Sequence, residues 1–328
     1  MADGYGEYMT YGYTLMTEQS GPRELVGHAA AAEQAGFDFE VISDHYFPWL
    51  DEMGHAPYAW SVLGAVSQVT EQVELMTYVT CPIMRYHPAV VAQKAATIDL
   101  LSDGRFTLGL GAGENLNEHV VGEGWPAVNV RHEMLEEAVR IITALFDGGY
   151  VNFAGDHFRV DSAKLWDLPQ NPVPIAVAVS GEQSVQTFAK LADHLIAVEP
   201  KAELVSLWDD ATGRVHSRKI GQLPVCWGPD RDASVERAHE LFRWFGGGWK
   251  VNAELPGPSG FAGASQFVTR DVVADSIPCG PDLDAIVKAV RQFEDAGFTD
   301  VALVQIGDES QRDFLEVAEQ ELLPALRG

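Results

Sequence analysis

The stretch Phe39-Glu40-Val41-Ile42-Ser43-Asp44-His45-Tyr46-Phe47-Pro48-Trp49 decides the fold of this chain. Phe39–Ser43 reads as a buried parallel strand, and the residues from Asp44 to Trp49 read as the polar and aromatic loop that leaves it. A second stretch repeats the pattern: Phe106–Gly111 is strand-like and runs into Ala112-Gly113-Glu114-Asn115-Leu116-Asn117-Glu118. In an α/β barrel, the loops just past the carboxyl ends of the strands form the reaction face. Asp44, His45 and Glu114 placed there converge on one ligand as an acid-base set, which points to an enzyme.

Working outward, strand-like runs recur at Thr10–Leu15, Val73–Val79, Pro174–Val179, Leu195–Glu199, Leu223–Trp227 and Val301–Ile306. With the first two, these runs are enough to close a (β/α)8 TIM barrel, an α/β fold that routinely exceeds ordinary domain size as one unit. Helical patterns lie between most of them. Pro22–Gln34 opens on a proline and stops before Gly36, Pro88–Leu101 opens the same way, and Ser310–Leu323 lies near the end. The chain therefore reads as one domain over 1–328 with insertions at about 150–172 and 246–275. The first insertion reads as a hairpin closed by Pro169-Gln170-Asn171-Pro172, and the second is rich in Gly and Pro, as lids often are. A doubly wound sheet also alternates strands with helices. However, the Gly109-x-Gly111-x-Gly113 run misplaces the third glycine of a dinucleotide loop and puts Glu114 where a pyrophosphate needs close backbone approach.

Composition narrows the function further. The 48 Asp and Glu outweigh the 22 Lys and Arg, a net charge of -26. A field of that sign repels nucleic acid and anionic membranes, so neither is expected as a partner. There is no apolar run of membrane-spanning length, and Met1-Ala2-Asp3-Gly4-Tyr5-Gly6-Glu7 lacks the basic start of a leader, so a cytoplasmic protein is expected. Cys81, Cys226 and Cys279 are odd in number and lack metal-ligand spacing, so no zinc site and no disulfide framework is expected.

Each chemical residue also has a plain structural reading. His45 suits proton transfer near neutrality or a rim hydrogen bond, Trp49 suits walling a planar ligand or simple packing, and Glu114 suits proton exchange with a ring nitrogen or helix capping. Their joint occurrence carries the argument. It is joined by ordered matches along nearly the whole chain: Glu18-Gln19 with Pro22-Arg23-Glu24-Leu25-Val26, Ser43-Asp44-His45 with Trp49, and Gly54-His55-Ala56-Pro57. The matches continue through Arg85-Tyr86 with Pro88-Ala89-Val90, Gly113-Glu114-x-Leu116-Asn117-Glu118, and Gln311-Arg312-x-Phe314-Leu315. In these residues the sequence resembles the bacterial luciferase-like barrel oxidoreductases. Within them it is most similar to the branch of deazaflavin (coenzyme F420)-dependent glucose-6-phosphate and alcohol dehydrogenases.

That resemblance implies F420 as cofactor, with Asp44, Tyr78, Val79, Cys81, Ala112, Gly113 and Asn117 holding its ring and ribityl chain. It implies a non-proline cis peptide at Tyr78-Val79, and a phosphate loop at Ser180, Gly181, Gln183 and Ser184. That loop lies between a strand and a helix, where free backbone N–H groups suit an anion. The implied reaction moves a hydride from the carbinol carbon of an alcohol or sugar to C5 of the deazaflavin. His45 takes the alcohol proton, Trp49 orients the substrate, Glu114 manages the proton at N1, and Glu18 supports His45. Sugar-phosphate members grip their substrate with three cations. Lys201 matches the first and Lys250 lies in the region of the second, but the third falls close to Asp275, with Arg270 a few residues away. A carboxylate there opposes a phosphate, which favours a neutral alcohol or sugar under an apolar lid drawn from the Trp244–Trp249 segment and Phe261. A flavin-dependent monooxygenase or an F420-dependent reductase on the same barrel is the alternative, and related barrels suggest a homodimer.

Overall fold

The computed structural model describes residues 9–214 and 216–328. The stretch 1–7, on which the leader expectation rested, lies outside them. Eight parallel strands close into a barrel: β1 (Thr10–Leu15), β2 (Phe39–Ile42), β3 (Glu74–Thr77), β4 (Phe106–Leu110), β7 (Ile175–Ala178), β8 (His194–Ile196), β9 (Lys219–Val225) and β10 (Asp300–Gln305). The two remaining strands, β5 (Val151–Ala154) and β6 (Arg159–Ala163), pair antiparallel as the hairpin expected in the first insertion. The β1 to β10 ladder closes the ring, with Tyr11 opposite Val301 and Tyr13 opposite Leu303.

Strand alternation sorts the side chains into two layers. Phe39, Val41, Met76, Tyr78, Ala176, Ile196, Ile220 and Ala302 pack together as the barrel interior. A larger outer cluster joins the opposite strand faces to helices such as Pro22–Ala35 and Pro88–Leu101, through Leu25, Ala29, Ala32, Val91 and Ala95. The first of these helices stops at Gly36, whose φ of +93° is the left-handed turn that glycine adopts without strain.

Two strands start earlier than the apolar runs indicated. β9 begins at Lys219, whose N–H donates to Thr299 Oγ1 at 2.9 Å and whose carbonyl accepts from the Thr299 N–H at 3.0 Å beside the start of β10. β8 begins at His194, whose Nδ1 accepts from the Arg218 N–H at 3.2 Å. Both polar starts are satisfied by residues outside their own strands and so escape a reading based on hydrophobicity. The final helical stretch also departs from one regular helix: Gln311–Val317 passes through a wide turn at Ala318–Leu322 before Leu323–Arg327, which carries Pro324 in its first turn.

The β3 to β4 contact depends on one missing side chain. A Cβ on Gly109 would lie 1.8 Å from the Thr77 carbonyl oxygen, while Thr77 Oγ1 both donates to Gly109 O at 2.8 Å and accepts from Gly109 N–H at 3.0 Å. Backbone cannot yield as a flexible side chain does. Gly109→Ala is therefore expected to destabilise the protein by about 3 kcal/mol, the upper end of ordinary overpacking, as a lowered midpoint in urea with an unchanged slope.

Candidate active site

The carboxyl ends of β1, β2 and β4 bring Glu18, His45 and Glu114 into one cluster. His45 Nδ1 lies 2.9 Å from Glu18 Oε1, close enough for an ion pair but off the line of a well-directed hydrogen bond. Its Nε2 lies 3.5 Å from Glu114 Oε2. Glu18 is held from behind: its Oε2 accepts from Ser43 Oγ at 2.6 Å and from Thr17 Oγ1 at 3.2 Å. Glu114 Oε2 accepts from Asn117 Nδ2 at 3.1 Å, and Asn117 Oδ1 accepts the Tyr46 and Phe47 N–H groups at 2.8 and 3.2 Å. Asn117 thus clips the β2 loop to the β4 loop and fixes the His45 to Glu114 spacing.

Burial and charge oppose each other in this cluster. Burial alone would lower the His45 pKa, but the Glu18 and Glu114 carboxylates overcome it and push it up to about 9. Burial raises Glu114 to about 7, against the pull of His45. Burial also acts to raise Glu18, yet His45 and the Ser43 hydroxyl bring it below the usual carboxylate range. The His45 and Glu114 pair therefore exchanges protons as a unit around neutral to alkaline pH, with Glu18 as its fixed counter-charge.

Trp49 forms the wall. Its ring meets His45 edge-on at 4.9 Å between centroids, stacks on Trp244 at 4.1 Å, and meets Phe261 edge-on at 5.0 Å. Trp244 and Phe261 are the aromatics that the sequence reading assigned to a lid. The second insertion is built from helices Trp249–Asn252, Pro258–Ser265 and Arg270–Ser276. It is also tied to the Glu114 loop, because Asn115 N–H donates to Ala253 O at 3.0 Å and Asn115 Nδ2 to Glu254 O at 3.1 Å.

Of the residues expected to hold the cofactor, Val79, Ala112 and Gly113 are partly exposed around the mouth, together with Ala178. All four are small or medium-sized residues just past or at the carboxyl ends of β3, β4 and β7. Gly113 has φ of +79° and sits so close to Cys81 that a Cβ would come within 2.4 Å of its Sγ. Both Cys81 and Tyr78 are buried, and the Tyr78–Val79 peptide bond is cis. The Asp44 carboxylate is committed to the framework, accepting from Trp60 Nε1 at 3.0 Å, Thr80 Oγ1 at 2.8 Å and Tyr86 Oη at 3.1 Å. At the β7 end, Ser180 and Gln183 are exposed, but the Ser180 and Gly181 N–H groups already donate to Ser184 Oγ at 3.2 and 3.3 Å. Those two donors are thus not free, as the sequence reading had them.

The cations expected near a substrate phosphate sit on other elements: Lys201 precedes the helix Ala202–Thr212, Lys250 lies in Trp249–Asn252 and Arg270 opens Arg270–Ser276. Lys201 is exposed and ion-paired with Glu199, and Lys250 is exposed on its insertion helix. Asp275 lines a separate cleft with Arg231, Asp232, Arg270 and Asp271, and Arg270 is ion-paired with Glu236.

Sequence reasoning gave no role to Arg85 and Glu118. Arg85 donates from Nε to Glu118 Oε1 at 3.2 Å and from Nη2 to the Asp44 carbonyl at 2.6 Å, and its Nη2 lies 3.5 Å from Asp44 Oδ1. The arginine that follows the apolar Cys81-Pro82-Ile83-Met84 run after β3 was the available signal.

A closed parallel barrel with a buried acid-base cluster at its carboxyl face is an enzyme architecture. Comparison with known proteins makes the class specific: residues 9–300 match the family model described as luciferase-like monooxygenase. The chain belongs to this luciferase-like family. It is 35% identical to an F420-dependent glucose-6-phosphate dehydrogenase of Nakamurella multipartita, covering 97% of this chain and 96% of that one. It is 37% identical to an F420-dependent hydroxymycolic acid dehydrogenase of Mycobacterium tuberculosis, over 87% of this chain and 80% of the other. Among solved structures it is similar to an F420-dependent secondary alcohol dehydrogenase in complex with an F420-acetone adduct. The TM-score there is 0.88 and the identity 29%, over 98% of this chain and all (100%) of that one.

Proposed function

We propose that this chain is an F420-dependent dehydrogenase that oxidises the carbinol carbon of a neutral alcohol. The observation that carries the reading is the Glu18, His45 and Glu114 cluster beside Trp49 at the carboxyl face of the barrel. The relatives' names supply the cofactor, and the partly exposed Val79, Ala112 and Gly113 are the residues we assign to its ring. When bound there, the deazaflavin is the hydride acceptor.

The chain's own residues handle the proton. Glu18 faces Nδ1 of His45, which leaves Nε2 on the side of Glu114 and the substrate. Neutral His45 accepts the alcohol proton, and Glu114, pushed up to about 7, would hold or release a proton toward the ring of the deazaflavin bound beside it. Trp49, braced by Trp244 and Phe261, closes the substrate side with apolar surface and excludes water. A neutral substrate suits this wall and the surplus of carboxylates. The exposed Lys201 and Lys250 favour instead a phosphorylated sugar reaching out to the rim. A steady-state panel separates the two: kcat/KM higher for secondary alcohols than for glucose 6-phosphate supports the neutral substrate, and the opposite order replaces it with the sugar phosphate.

The electrostatics set the pH dependence. Only neutral His45 accepts a proton, so kcat/KM is expected to climb as pH rises towards about 9. Glu114→Gln removes a neighbouring negative charge, lowers the His45 value, and moves that climb to lower pH by about one unit, equivalent to ~1.4 kcal/mol. An unmoved profile in the variant contradicts the coupling.

A further inference from the structure

Cys226 and Cys279 are far apart in sequence and adjacent in space. Cys226 follows the last residue of β9, and Cys279 follows the last helix of the second insertion. The two are directly opposite in a parallel bridge, with Cys226 N–H donating to Pro278 O at 2.9 Å and Gly280 N–H donating to Cys226 O at 3.0 Å. Paired residues on adjacent strands put their side chains on the same face, with Cα atoms about 4.8 Å apart, inside the ~4.4 to 6.8 Å that a disulfide spans. Both thiols are free, Cys226 fully buried and Cys279 partly exposed.

The surroundings differentiate the two sulfurs. The Cys279 thiol and then the Arg237 guanidinium lower the Cys226 pKa, while hydrogen bonding to Cys226 and burial raise that of Cys279. Arg237 reaches this spot with a buried Nε that has no hydrogen-bond partner among the described residues, while its Nη2 donates to Trp227 O at 2.7 Å. A thiol beside a cation, next to a second and more accessible thiol, is the arrangement of a redox-responsive pair. Cys81 is different: burial drives its pKa well up, and it sits in the barrel mouth away from either partner's strand.

We propose that Cys226 and Cys279 form a reversible disulfide under hydroperoxide, a modification site that fastens the returning end of the second insertion to the barrel. The Cys226 thiolate attacks the O–O bond of the peroxide, becoming a sulfenic acid as the departing hydroxide takes up a proton to leave as water. Cys279 Sγ then attacks the sulfenyl sulfur, and the displaced hydroxide leaves with the Cys279 proton as a second water. Two thiols are oxidised by two electrons and one peroxide is reduced. The bond falls in the cluster that contains Trp49, Trp244 and Phe261, so it anchors the aromatic wall of the active site.

The test treats the full-length protein with hydrogen peroxide, then denatures it and labels all remaining thiols with N-ethylmaleimide. The native chain, with 3 cysteines, is expected to take up a single label, at Cys81, and to lose about 2 Da before labelling. Dithiothreitol is expected to restore all labels, and a peptide map to join Cys226 to Cys279. Cys279→Ser, a near-isosteric change at the partly exposed position, is expected to abolish the crosslink. Full labelling after peroxide, a crosslink that survives in Cys279→Ser, or oxygen adducts without a crosslink would each overturn the proposal.

Discussion

Replacing His45 with alanine is expected to lower kcat by about 10²- to 10⁴-fold, the usual contribution of a positioned acid or base. Affinity for F420 should stay close to that of the native protein. The reason is geometric. The ion-pair and ring contacts of His45 run to Glu18, Glu114 and the Trp49 edge, and none of them runs to Val79, Ala112 or Gly113, the residues assigned to the cofactor ring. The loss should fall on turnover rather than on cofactor binding. Pre-steady-state reduction of F420 at saturating alcohol, beside a fluorescence titration of the cofactor, separates the two. A variant that turns over normally contradicts the role given to His45.

Replacing Arg85 with alanine should have the largest effect on stability, about 3 to 5 kcal/mol, the cost of stranding buried charges by removing their partner. The side chains of Asp44 and Glu118 are both at 0% exposure, and Arg85 is the cation that faces each of them. Burial already raises Glu118, and Arg85 counteracts this through its charge and hydrogen bonds. Without Arg85, Glu118 moves further up and takes on a proton at higher pH. The gap between variant and native protein should therefore narrow as pH falls, because protonated carboxyls no longer need the cation. Urea titrations at neutral and mildly acidic pH measure this, and a pH-independent gap would show that packing, not charge, sets the cost.

The barrel was legible because its strands are short, apolar and followed by polar loops. The Asp44-His45 and Gly113-Glu114 loops stood out for the same reason, since a strand that ends in titratable residues points them at the reaction face. Glu18 came from the resemblance alone. Nothing in Thr17-Glu18-Gln19 marks a carboxylate that will sit 2.9 Å from a histidine of the next strand end. Polar strand starts at His194 and Lys219 were missed because the groups that satisfy them, the Arg218 N–H and the Asp209 carboxylate, lie on other elements. The Asp44 carboxylate illustrates the same limit. Its hydrogen bonds from Trp60, Thr80 and Tyr86, and the Arg85 beside it, come from residues distant in sequence, so its part in holding the loop was not legible. Lys250 was the least legible of the expected substrate cations, because the Gly- and Pro-rich insertion gives no periodicity with which to set a register.

The dependence on F420 is tested most directly by titrating the purified protein with oxidised F420 and, separately, with FMN, following the fluorescence of each bound cofactor at controlled salt. Saturable binding of F420, tighter than that of FMN, followed by F420 reduction on adding a secondary alcohol, is the result the account expects. Tighter binding of FMN, with no reduction of F420 by any alcohol, would contradict it and move the chain to the oxygen-consuming side of its family.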